Sequence, residues 1–104
     1  MKYPNTITAW IKDDSMRKAS WERLLITRCR WQERKGANPS TNGDTIAREI
    51  LIIIDGATCT LSRGDCVLLG MHIDAEPPQE SATVNTVKPV YIGKKVHHFE
   101  VIAS

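Results

Sequence analysis

The sequence has too few cysteines, wrongly spaced, for a disulfide framework. There are three, Cys29, Cys59 and Cys66, an odd count with no CxxC pair among them. The same spacing argues against a zinc site built from these thiols alone. They read as reduced, partly buried thiols of a cytosolic protein. No apolar run approaches the ~20 residues that span a bilayer as a helix. The opening stretch MKYPNTITAW lacks the apolar core of a secretory signal. A membrane partner is therefore not expected. There is no internal repeat and no low-complexity tract. There is no phosphate-cradling loop either, because Gly93-Lys94-Lys95 lacks the Walker spacing.

What remains is a chain of 104 residues, 41% hydrophobic and 25% charged. Those values suit one globular domain with a modest core. Net charge is only +2, but it is unevenly placed. Residues 1–35 carry nine Lys/Arg and four Asp/Glu, whereas residues 36–104 carry five and eight. Such asymmetry suits either a nucleic-acid surface or complementary contacts between neighbouring copies, unless folding intermixes the two halves.

The pattern along the chain is that of strands. Residues Thr6–Lys12 alternate, with Ile7, Ala9 and Ile11 on one face and Thr6, Thr8 and Trp10 on the other. Glu22–Glu33 predicts a long strand rather than a helix, since Arg28 breaks the helical face begun by Trp21, Leu24 and Leu25. Its alternation sets Leu25, Thr27, Cys29 and Trp31 against Ile26, Arg28, Arg30 and Gln32. Residues 36–44, GANPSTNGD, form a polar loop longer than the hairpin norm. DTIAREILIII, residues 44–54, is the strongest strand, turning apolar on both faces and so expected to be buried on both. A second loop is expected over residues 75–85, around Pro77-Pro78. Thr86–Ile92 and Val96–Ile102 then make a hairpin around Gly93-Lys94-Lys95, with Pro89 implying an edge or a bulge. The sum is an all-β chain: one small β-barrel domain, residues 1–104, of five or six mostly antiparallel strands with long polar loops.

Few residues offer chemistry. Arg63-Gly64-Asp65 spells a cell-adhesion tripeptide, but Gly64 and Asp65 suit a tight turn entering the strand Cys66–Gly70. His97 and His98 are adjacent, so on a strand they face opposite ways and do not converge on one metal. Nothing orients Cys66 against His97 as a nucleophilic pair. Asp13-Asp14 diverge and form no acid/base couple. No catalytic residue, metal or cofactor is therefore expected. The basic and aromatic stretch is richer: Trp21, Arg23, Arg28, Arg30, Trp31, Arg34 and Lys35 lie close in sequence. It suits either single-strand binding on a small barrel or a core Trp31 backed by an arginine-bearing contact face.

Those residues also carry a resemblance. Trp21-Glu22-Arg23-Leu24-Leu25-Ile26 is followed by Cys29-Arg30-Trp31, a polar loop and a strand of isoleucines. Gly64-Asp65-Cys66-Val67-Leu68-Leu69-Gly70 and His97-His98-Phe99-Glu100-Val101 come next. The order, spanning Ile7 to Ile102, resembles the small head–tail connector (head-completion, stopper-like) proteins of tailed phages and prophages of Gram-positive bacteria. The resemblance implies a small β-barrel that assembles as a homo-oligomeric ring below the portal. There it would close the channel on packaged double-stranded DNA and join the tail. Its partners would be sister copies, portal or adaptor proteins, and tail proteins. It would act in the virion neck after assembly in the host cytoplasm. The candidate channel loop is Gly36, Asn38, Ser40, Asn42 and Gly43. Arg23, Arg28, Arg30, Arg34 and Lys35 are candidate subunit or DNA contacts. A tail-completion or terminator protein, or a small-barrel nucleic-acid-binding protein, would share these features.

Overall fold

Apolar and β-branched residues recur at every second position between turn-forming segments, and each such run becomes a strand. The computed structural model describes residues 3–14, 20–35 and 48–104. The strands are β1 (Asn5–Asp13), β2 (Ser20–Lys35), β3 (Arg48–Asp55), β4 (Cys66–Leu69), β5 (Ala82–Ile92) and β6 (Lys95–Ala103). All their pairings are antiparallel. The order β1-β2-β3-β6-β5-β4 returns to β1, so a single sheet closes in a ring. The expectation of an all-β chain with five or six mostly antiparallel strands holds, with six strands, all antiparallel.

The ring is filled from every strand. Ile7, Ala9, Cys29, Ile50, Ile52, Ile54, Val67, Ala82, Val84, Val101 and Ala103 form one buried cluster, with Leu61 from the segment before β4. Trp31 and Phe99 pack against it. Burial of each isoleucine, valine or leucine of the cluster contributes ~1.5–3 kcal/mol, and of each alanine less. On β3 the inward isoleucines are fully covered, while Leu51 and Ile53 are only half-buried. The expected two-sided burial of β3 is thus one-sided and a half, because little packs on its outer face. Its expected first residues, 44–47, lie outside the described residues.

β2 is extended, as its composition demands, but its alternation changes phase. Leu24 and Ile26 pack on the core while Leu25 and Thr27 are exposed; beyond them Cys29 and Trp31 turn inward. The sequence pattern had placed Leu25 and Thr27 with Cys29 and Trp31. The reason is a bulge. Asn5 pairs with Cys29 but Ile7 pairs with Ile26, so β2 has one extra residue there. Arg28 takes φ 59°, a left-handed conformation normally given to glycine. The kink is held by Asn5, whose Oδ1 accepts the Trp31 N–H at 2.9 Å. The Cys29 thiol donates to the Asn5 carbonyl at 3.2 Å. At this corner β2 leaves β1 and takes up β3 as its partner.

β5 starts earlier than the loop expected over residues 75–85 allows. Ala82 and Val84 already point into the core. Alternation through Ala-Thr-Val-Asn outweighed the neighbouring prolines. β4 has four residues and pairs with β5 only at Cys66–Thr83 and Val67–Ala82. Pro89 pairs with Phe99 well beyond that reach, so its missing N–H breaks no ladder on the β4 side. β3 likewise leaves β6 at Asp55–His98. The distal part of β5–β6 therefore stands out as a two-stranded ribbon. It is closed by Gly93 at φ 65° in a two-residue turn between the paired Ile92 and Lys95.

Two tests address the corner. Arg28→Gly is expected to leave stability unchanged or raise it by up to about 1 kcal/mol, whereas Arg28→Val should lose roughly 1–2 kcal/mol, because a β-branched residue resists positive φ. Urea denaturation of the two variants checks this, and a valine variant as stable as wild type would contradict the left-handed bulge. Burial pushes the Cys29 thiol from 9.0 up to about 11. The native state thus holds that proton more tightly than the unfolded chain. The stability it contributes is complete below pH 9 and is lost as pH rises through about 11. The stability of wild type minus that of Cys29→Ala, measured by urea denaturation across this window, should shrink by an amount of order 2 kcal/mol.

Candidate functional site

The adhesion-like tripeptide is spent on the fold. Asp65 is 2% exposed. Its Oδ1 accepts the Lys12 N–H of β1 at 2.9 Å, and its Oδ2 accepts the Ser62 N–H at 2.8 Å and the Ser62 hydroxyl at 3.3 Å. Asp65 N–H donates to the Ser62 carbonyl at 3.1 Å, closing the turn, while Gly64 supplies φ 98°. The backbone then engages β5: Gly64 N–H donates to Val84 O and Val84 N–H to Asp65 O. A carboxylate held this way cannot be offered to a receptor.

The outer face of β1 is covered from the chain beyond β4. Trp10 and Thr8 point away from the ring interior yet are fully buried. Thr8 Oγ1 donates to Gly70 O at 2.7 Å and accepts the His72 N–H at 2.9 Å. Trp10 Nε1 donates to Asp74 O at 2.8 Å. Residues 70–74 thus form a strap whose polar backbone faces β1. Met71 and Ile73 are turned outward, 74% and 91% exposed. With Arg23, Leu25 and His72 they line an open groove of about 140 Å³. Sequence reading missed both the burial of Trp10 and this groove. The one signal available was the isolated Met71 and Ile73 in a polar stretch.

The expected contact residues are distributed, not clustered. Arg23 lines the groove opposite Trp10 in register. Arg28, at the bulge, is exposed and reaches Asp55 at 2.8 Å. Arg30 is also exposed. Five residues of strand separate Arg23 from Arg28, roughly 16 Å at the usual rise. These arginines make a line along the outside of β2, which suits tracking a phosphate backbone or a protein surface. Arg34 and Lys35 end β2 opposite Glu49 and Arg48, and their side chains fall outside what is described. Gly36, Asn38, Ser40, Asn42 and Gly43, the candidate channel loop, lie outside the described residues.

His97 and His98 sit on β6, on the ribbon side of the molecule, apart from His72 on the strap. His97 Nδ1 lies 2.9 Å from His98 Nδ1, with the rings edge-on. Among the described residues no three His, Cys, Asp or Glu side chains come together as a metal site. Cys66 is on β4 and Cys59 precedes it; burial raises the Cys59 thiol from its ordinary value. Neither is disulfide-bonded.

Over residues 3–104 the chain matches a family of unknown function, DUF6751. The chain belongs to that family. No curated protein and no solved structure matches it. Among the described residues this DUF6751 chain presents two exposed apolar regions and a set of exposed arginines on β2. The apolar regions are the groove beside the strap and the tip of the β5–β6 ribbon, where Tyr91 and Ile92 are more than half exposed.

Asp65→Ala should cost roughly 2–4 kcal/mol, because it strands the buried Lys12 and Ser62 donors. Urea denaturation measures it. A loss below ~0.5 kcal/mol would mean that the carboxylate does not hold the ring closed.

Proposed function

We propose that the chain is a non-enzymatic structural component of a tailed-phage neck. In this reading it is a head-completion, stopper-like connector that forms a ring below the portal, closes the DNA channel and joins the tail. The observation that carries the reading is the exposure of large apolar side chains at separate places on a small ring-closed sheet. Leu25, Leu69, Met71 and Ile73 lie around the strap, and Tyr91 and Ile92 at the ribbon tip. Apolar side chains exposed next to one another, as Leu25, Met71 and Ile73 are along the groove, mark a docking surface where single ones do not. The order of short motifs, from Trp21-Glu22-Arg23 to Phe99-Glu100-Val101, supplies the class of assembly. A ring around DNA also accommodates outward arginines that meet phosphate without reading sequence.

A second reading has its own support. The exposed line Arg23, Arg28 and Arg30 suits a small-barrel nucleic-acid-binding protein. A salt-dependent gel shift with isolated monomer would favour it, whereas the connector reading expects weak binding before assembly. Copurification with tail rather than portal components would favour a tail-completion or terminator protein.

Arg28→Glu with Arg30→Glu should block neck assembly or DNA retention. Particles from a complemented phage, counted by electron microscopy, should be empty or tailless. A normal yield of full, tailed particles would contradict the connector reading.

A further inference from the structure

The two exposed apolar regions differ in shape and in charge. The first is concave: the groove between Leu25 of β2 and Met71 and Ile73 of the strap. Its volume, about 140 Å³, is close to that of cavities that accept a benzene-sized group. The strap continues into Asp74 and Glu76, both exposed, so acidic side chains follow directly on a groove that Arg23 lines from β2. The second is convex. At the ribbon tip Ile92 pairs across the strands with Lys95, and Tyr91 with Val96. Lys94 fills the turn, and Lys94 and Lys95 are exposed. Its tip is therefore apolar with a basic border.

These regions cannot meet within one molecule. The groove lies on the outer side of β1 and β2. The ribbon rises from β5 and β6, and β6 is three places from β1 in either direction around the ring. Among the described residues the knob does not reach the hole of its own chain, and a second copy offers both.

We propose that the ribbon tip of one copy docks into the strap groove of the next. Ile92 fills the hole between Leu25, Met71 and Ile73. Lys94 and Lys95 face Asp74 and Glu76, and Tyr91, on the other face of the ribbon, stays outside the groove. The contact is head-to-tail, because each copy uses one patch to give and another to receive. Repeated, it closes as a ring or runs on as a filament. It deepens the connector reading by naming the subunit contact, and it relies on that reading for the purpose of the assembly.

The test is made on the full chain. Sedimentation velocity should show concentration-dependent assembly of the wild type. Ile92→Asp, and separately Lys94→Glu with Lys95→Glu, should move its midpoint upward by at least about tenfold. Adding Asp74→Lys and Glu76→Lys to the charge-reversed ribbon should restore assembly, a recovery that misfolding would not give. In a Cys59→Ser, Cys66→Ser background, a mixture of Ile92→Cys and Met71→Cys proteins treated with a short bifunctional thiol reagent should yield a covalent dimer absent from either alone. Assembly that persists in the ribbon variants, or oligomers that give no such crosslink, would overturn the contact while leaving the connector reading in place. A chain that stays monomeric at every concentration would also overturn it. Copurification with portal is scored separately. Its absence, with the crosslink present, would remove the connector reading and keep the contact.

Discussion

Ring closure depends on one buried carboxylate. The seam between β4 and β5 has only two paired positions, the shortest join in the sheet. Asp65 strengthens it from both sides. Its side chain grips Lys12 of β1 and Ser62 of the turn, and its backbone carbonyl accepts Val84 of β5. A charge taken out of water is expensive unless donors surround it. Here three donors do, two of them backbone amides that would otherwise be left without partners. The desolvation cost and the need of those amides cancel each other, and three chain segments are fixed in register as a result. Everything else around the seam inherits its position from this turn: the direction of β4, the exit of the strap and the start of β5.

The other constraint is the corner in β2. A strand of sixteen residues is too long to stay beside one partner in so small a ring. The bulge at Arg28 divides it. The first part faces β1 and the second faces β3, with Asn5 and Cys29 bracing the bend. Inserting one residue also changes which side chains look outward. Without it Leu25 would lie on the same face as Cys29 and Trp31, in the core, and the groove would lose a wall. The exposed apolar surface is thus tied to a backbone irregularity at the centre of the fold.

How much of this the sequence discloses follows from the range of each interaction. The isoleucines of β3, the Gly93 turn and the Ser62–Asp65 turn are local, and their residues announce them. The extended state of β2 was legible from Leu25-to-Trp31 alternation even though its phase was not. The bulge falls on an arginine, with no glycine or asparagine to mark it, and its cause lies in Asn5, far away in the chain. The start of β5 was obscured by Pro77-Pro78, although Ala82 and Val84 already alternated. Trp10 could not be placed from its own neighbourhood. Its outward position is set by β1, and its burial by a segment more than sixty residues away. The groove exists only where that segment crosses β1, so no local pattern contains it.

The strap also separates what folding requires from what it leaves to function. Its duties toward β1 are discharged by backbone groups of Gly70, His72 and Asp74. Met71 and Ile73 fall between those contacts and point to solvent. Serine or lysine at either position would leave every one of these hydrogen bonds intact and raise solubility. Among the described residues no contact of the fold requires apolar side chains there, and side by side they form the kind of surface that docks. Tyr91 and Ile92 stand in the same position on the ribbon, beyond the reach of β3 and β4, where a polar turn would close the hairpin equally well. Side chains that neither fold nor solvent favours, placed on opposite sides of a closed sheet and bordered by opposite charges, are accounted for most simply by contact with something else.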